Sequence, residues 1–297
     1  MAFKDKFKAY FQDMFGTSMP GERDHTLSIT ELRNILNYVQ EGNFQRAEYE
    51  FFQLDTEHKT QCLDSLTLQL PPEKVLAWSQ KYPQSAMGNF LAGVYYGHEA
   101  WRSSTGGDPE ASRKQFLAHL NKAKELLEPF RHASPVSEQA CERLIRIYMG
   151  LGNREQAYQC FDECRRINPA NLWAYLHASE LIQPKWGGGP REVFEFLHRL
   201  PQERVVRIIV ELKLTYDSLA SRTDLHGGSG VNLHHDARAR VNRIDRELEH
   251  TALDSIFRFM AFNYLEILVS TLGMVSLMGK YGPLGRGYEA LYPHGIR

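Results

Sequence analysis

The sequence predicts an all-α protein, an irregular solenoid of stacked helical hairpins. Three observations carry that expectation. Apolar residues recur at three- and four-residue spacing along most of the chain, no stretch alternates apolar and polar residues as a half-buried strand would, and short Gly, Asn or Pro breaks separate the periodic segments. The composition is that of a globular chain, with 42% hydrophobic and 24% charged residues, and 35 basic against 36 acidic side chains in 297 residues. That balance excludes a disordered chain and argues against a nucleic-acid binder, which carries a basic excess.

The elements follow in chain order. Phe3, Phe7, Tyr10, Phe11, Met14 and Phe15 share one face of an N-terminal amphipathic helix. That stripe reads as core, with a docking face for a partner or, given Lys4, Lys6 and Lys8, for a membrane surface as alternatives. Ser28 and Glu31 have the spacing of a capping box, Leu32, Ile35, Leu36 and Val39 form the stripe behind it, and Gly42 ends the helix. Asn43 and Phe44 open a partner helix through Ala47, Phe51 and Leu54. Pro71-Pro72 starts the next, because a proline in the first turn gives up an N–H that has no partner there, and Pro83 stops it. Phe90 to Trp101 and Phe116 to Leu127 are two more helices around a Gly/Ser-rich loop from Ser103 to Pro109.

The clearest unit runs from Glu138 to Pro169. Counting Glu138 as position 1, Leu144 and Tyr148 take positions 7 and 11, Gly152 position 15, Ala157 and Cys164 positions 20 and 27, Phe161 position 24 and Pro169 position 32. This spacing is similar to the tetratricopeptide repeat, in which small residues let two antiparallel helices approach and an aromatic fills the wedge between them. Cys141 and Ile145 depart from that pattern at positions 4 and 8. Trp173 and Leu176 begin a following unit, whose second helix (Val193, Phe194, Leu197) resumes only after Gln183-Pro-Lys-Trp-Gly-Gly-Gly-Pro190. Val205 to Leu219, Val241 to Leu248 and Ile256 to Met278 supply the remaining helices. The division expected is a helical-repeat domain over 1–220, a Gly- and His-rich loop over 221–240, and C-terminal helices with an irregular tail over 241–297.

Gly150-Leu-Gly-Asn153, Phe161, Asn168-Pro169, Ser179-Glu-Leu-Ile182 and the Pro184-Lys-Trp-Gly-Gly188 turn together resemble a bacterial family of TPR-like helical-repeat proteins of unknown function, marked by a Pro-Lys-Trp-Gly-Gly turn between two helices of a hairpin. The resemblance is strongest from Ser137 to Leu200 and does not extend past Ser221. It implies a helical-repeat fold in a bacterial protein and brings no activity.

Few residues invite chemistry. Trp186 and Lys185 in the turn are candidate partner contacts, since tryptophan is enriched at interface hot spots, while packing between hairpins is the plainer role for Trp186. The helix positions that line the groove of a TPR unit hold Gln139, Glu142, Arg146 and Met149, so Glu142, Arg146 and Met149 join the candidate contacts. No catalytic residue and no metal ligand is assigned. Asp224, His226, His234, His235 and Asp236 offer ligating groups, but adjacent His234 and His235 point apart and the glycine-rich backbone around them does not hold a site in place. Gly187 to Gly189 and Gly227 to Gly230 lack the Gly-Lys-Ser/Thr of a phosphate loop. Arg238, Arg240, Arg243 and Arg246 alternate with Asp245, Glu247 and Glu249, which reads as surface charge pairing. The four cysteines, including Cys160 and Cys164 on one helical face, read as buried free thiols in a reducing compartment.

The uncharged run from Ile267 to Gly279 rises about 20 Å, too short for a bilayer core, and charges interrupt the first ten residues, so the expected location is the cytoplasm. The expected function is a non-enzymatic protein–protein interaction module without a cofactor, a bacterial adaptor or an immunity-type protein that binds a partner protein. A peripheral membrane scaffold docking through the N-terminal helix and a hydrolase built on the His/Asp loop are the alternatives.

Overall fold

A computed structural model describes residues 26–27, 29–103, 109–132, 134–221, 233–253 and 255–281. The N-terminal aromatic stripe, Ser28, Asp224, His226 and the C-terminal tail lie outside the described residues. Among the described residues the secondary structure is entirely helical, so the fold is all-α. They divide into two compact units, one up to Ala174 and one from Tyr175 onward. The division falls within α9 (Leu172–Leu181), and the C-terminal helices cluster with α11 (Arg204–Ser221).

The N-terminal unit opens with a hairpin of α1 (Thr30–Glu41) and α2 (Phe44–Gln53). Leu32, Ile35 and Val39 face Phe44, Ala47 and Phe51, all buried. Gly42 at φ +79 ends α1, and the Asn43 N–H donates back to the Tyr38 carbonyl at 2.8 Å, closing the turn as expected. Ile29 stands at the N-cap without a side-chain cap bond, where a serine cap was expected one residue earlier. Next comes α3 (Thr56–Gln69), a helix the apolar pattern does not announce. It has no apolar stripe because it is buried on several sides at once, with Thr60, Gln61, Ser65 and Thr67 inside beside Cys62, Leu63 and Leu66. Asp55 caps it by accepting from the His58 N–H at 2.9 Å.

The remaining helices are α4 (Pro72–Lys81), α5 (Ala86–Ser103), α6 (Pro109–Leu127), α7 (Ser137–Gly150) and α8 (Arg154–Ile167). α5 pairs with α6, and α7 pairs with α8. The α7–α8 hairpin has the expected interior: Leu144, Ala157, Phe161 and Cys164 are fully buried, and Gly152 at φ +75 makes the turn. A clamp steadies its open end. Arg131 donates to both carboxylate oxygens of Glu163 (2.7 and 2.9 Å) and to Gln156 Oε1 (3.2 Å), and Tyr148 donates to Glu128.

In the C-terminal unit α11 packs against both α12 (Leu233–Leu248) and α13 (Ser255–Thr271), while the short α10 (Pro190–Leu197) follows the turn after α9. The loop expected through residue 240 is corrected here: residues 233–240 are the first turns of α12, since Ala237, Val241 and Ile244 already follow helical spacing onto the core. The apolar run from Ile256 to Met278 is not one helix either. Gly273 at φ +62 breaks it, and Tyr281 folds back to donate to Asp245 at 2.5 Å.

Candidate functional site

The densest cluster of chemically capable groups lies in the N-terminal unit, where α3, α5 and α7 meet. α3 supplies Thr60, Asp64 and Thr67, α5 supplies His98, and α7 supplies Glu142 and Arg143. One guanidinium serves two carboxylates. Arg143 Nη2 lies 2.8 Å from Asp64 Oδ1, and its Nε lies 3.3 Å from Glu142 Oε1. Arg143 also donates to the Thr60 carbonyl (3.2 Å), and the Thr60 hydroxyl donates to Glu142 Oε2 (2.8 Å).

The charge states follow from burial and neighbours. Burial raises the Asp64 carboxyl, but Arg143 and His98 outweigh it and hold it below the usual carboxylate range. Glu142, the poorer-placed carboxylate, is pushed up to about 7, first by burial, with Arg143 and Thr60 opposing and Asp64 and Glu138 adding to the rise. Burial pushes His98 down, so the imidazole is neutral near pH 7. Its Nδ1 is 2.7 Å from Thr67 Oγ1, and its Nε2 is 3.2 Å from Asp64 Oδ1.

Thr67, His98 and Asp64 thus stand in the order hydroxyl, imidazole, carboxylate, but His98 Nε2 and Asp64 Oδ1 lack the hydrogen bond that a nucleophile-activating relay requires. The trio is sealed: Thr67 is 2% exposed and its hydroxyl also lies 2.8 Å from the Leu63 carbonyl of its own helix. No substrate atom reaches it, and its work is to join α3 to α5. Above the seam, Arg146 stacks on Trp101 with 4.8 Å between guanidinium carbon and ring centroid. Below it, Glu138 accepts from Thr56 (2.9 Å), Asn168 (2.7 Å) and Asn171 (2.8 Å).

These placements correct the groove expected on α7. Glu142 (0% exposed), Arg146 (5%) and Met149 (1%) line no open surface, because the polar α3 and the flank of α5 cover that face. The sequence hid this by hiding α3. The only signal available was the run of Thr60, Asp64 and Thr67 at helical spacing, opposite charged residues on an α7 that is otherwise too apolar to be a surface helix.

The turn in the C-terminal unit is the second candidate. Pro184–Trp186 form one 3-10 turn. The Gln183 carbonyl accepts from both the Trp186 N–H (2.9 Å) and the Gly188 N–H (3.0 Å). Gly187 takes φ +81, and a Cβ at Gly188 would stand 2.1 Å from the Ile182 carbonyl oxygen, so both glycines are dictated by the path of the backbone. Gln183 Nε2 donates to Asp217 (2.8 Å), itself paired with buried Lys213 (2.6 Å), and this ties the turn to α11. Trp186 is half-buried. Beyond the turn Phe196 is buried against Tyr175, whereas Phe194 is 57% exposed, its ring tilted against His198 with centroids 4.2 Å apart.

The other candidates are placed as follows. His234, His235 and Asp236 are exposed on the first turn of α12, and no group of three or more His, Cys, Asp or Glu among the described residues is placed to hold a metal ion. The arginines of α12 are engaged within their own unit: Arg243 with Glu211 and Glu247, Arg240 with Thr215 (3.1 Å), Arg246 with the Asn242 carbonyl (3.2 Å) and Arg238 with the Leu272 carbonyl. All four cysteines are free and buried, and burial pushes their thiols up, Cys141 to about 12. No described helix is long and apolar enough to cross a membrane. No family model, curated protein or solved structure matches the chain.

Proposed function

We propose that the protein is a non-enzymatic, TPR-like interaction module of the bacterial cytoplasm, an adaptor or an immunity-type protein that binds and blocks a partner protein. The observation that carries this reading is the contrast between the two candidate sites. The groups able to do chemistry are sealed between α3, α5 and α7, while the turn at Trp186 is held rigidly by its backbone bonds and by Asp217 and leads into an exposed aromatic at Phe194. A rigid base under an exposed aromatic is what an interface anchor requires, because little side-chain freedom remains to be lost on binding. Lys185 and Trp186, in the turn that precedes this anchor, are the further proposed contacts. The α7–α8 hairpin supports the repeat reading, and four buried free thiols support a reducing compartment.

The test is stoichiometric co-purification of the tagged full chain, comparing wild type with Phe194→Ala and Trp186→Ala. The reading expects Phe194→Ala to lose a partner that wild type retains, at an unchanged melting temperature. Equal retention by both variants would sink it.

A further inference from the structure

The seam between α3 and α7 holds more acid than base. Asp64 and Glu142 approach Arg143 from two sides, and Asp64 takes the shorter contact, 2.8 Å against 3.3 Å. Glu142 is wholly buried, its Oε2 takes a single hydrogen bond from Thr60, and its Oε1 takes none. The groups facing it from each neighbouring helix do not make up the deficit. α3 brings the negative Asp64, α5 a neutral His98, and α8 the thiol of Cys164; on α7 itself Glu138 is acidic, Arg143 is already shared, and buried Arg146 is turned onto the Trp101 ring. An ionised carboxylate so placed lacks the hydrogen bonds and counter-charge that burial demands, whereas a carboxylic acid there does not.

We propose that the α3–α7 seam is a proton-coupled latch: docking α3 onto α7 takes up one proton, held on the Glu142 carboxyl, and rising pH loosens α3 from the N-terminal unit. The direction follows from linkage. A carboxyl whose affinity for the proton is higher in the docked state stabilises that state at low pH, and the contribution is lost as pH climbs from its ordinary value near 4.5 to its docked value of about 7. For that interval Glu142 by itself raises the opening equilibrium of α3 about thirtyfold between pH 5.5 and 8.5, while His98, held down by burial and freed when α3 opens, acts in the opposite sense, so the Glu142 contribution is the difference between wild type and Glu142→Gln. Nothing of this kind is expected at the α1–α2 hairpin, whose facing residues are apolar.

Hydrogen exchange of the full chain, read by mass spectrometry over 56–69 and over 30–53 and divided by intrinsic rates at each pH, tests it. Between pH 5.5 and 8.5 the protection of 56–69 relative to 30–53 should change about thirtyfold further toward loss in wild type than in Glu142→Gln. Equal pH dependence in wild type and Glu142→Gln would overturn the latch. Should Glu142→Gln fail to fold, the carbonyl infrared band of wild type with labelled glutamate decides. A buried protonated glutamate band that persists at pH 5.5 and disappears toward pH 8.5 supports the latch, and its absence at pH 5.5 overturns it.

Discussion

Replacing Gly188 by alanine should disrupt the turn that carries the proposed interface. An added Cβ would lie 2.1 Å from the oxygen, 2.2 Å from the carbon and 2.6 Å from the Cα of Ile182. These are backbone atoms at the end of α9, so no side chain can swing aside, and the Gly188 N–H bond to Gln183 must break or lengthen. Overpacking of this kind costs about 1–3 kcal/mol, and losing the hydrogen bond adds about 1 kcal/mol. At about 4–8 °C per kcal/mol for a unit of roughly a hundred residues, the melting temperature of the C-terminal unit should fall by at least about 10 °C. Gly187→Ala, strained by φ +81 alone, should cost only about 1–2 kcal/mol. Gly189→Ala should be silent, because no atom lies within 4 Å and its φ is extended. Calorimetric melts of the three variants give the ranking directly. If Gly188→Ala and Gly189→Ala melt alike, the backbone path assigned to this turn is wrong.

Further outcomes follow from the N-terminal unit. Arg143→Met strands the Asp64 carboxylate in the interior and should cost about 3–5 kcal/mol in chemical denaturation. Phe161→Ala empties the wedge between α7 and α8 and should cost about 3–5 kcal/mol by the same assay. Asp64, held below its ordinary range, contributes stability that is present above about pH 4 and lost as pH falls through its folded value, so Asp64→Asn should flatten the acid limb of the stability profile. The four thiols should resist an aromatic disulfide reagent in the native chain at pH 8 and react fully in denaturant, because each is buried and held protonated.

The legible part of the fold was the part written in apolar stripes. Leu32, Ile35 and Val39, the helix stop at Gly42 and the Leu144–Phe161–Cys164 interior all lie where their spacing puts them. α3 was illegible because threonine, serine and glutamine share its buried surface with Cys62, Leu63 and Leu66 and blur any apolar stripe, and their burial depends on partners in α5 and α7 far along the chain. Hydrophobic periodicity records only what is apolar, so a helix held by hydrogen bonds and one shared guanidinium reads as a surface segment. That omission left the α7 face open on paper and placed Glu142, Arg146 and Met149 in a groove. Beyond the turn at Pro184 an eight-residue helix holds too few turns for its pattern to fix its phase, and there Phe196 is inside and Phe194 outside.

The account rests on an exposed anchor beside a rigid turn, and photocrosslinking tests that most directly. A benzophenone amino acid placed at Phe194 in the full chain, expressed at native level in its own cells, should give one stoichiometric adduct that Gly188→Ala abolishes, while the same group at Arg165 on α8 gives none. Absence of an adduct at position 194, or the same diffuse set of adducts from both positions, would contradict a dedicated partner at this surface.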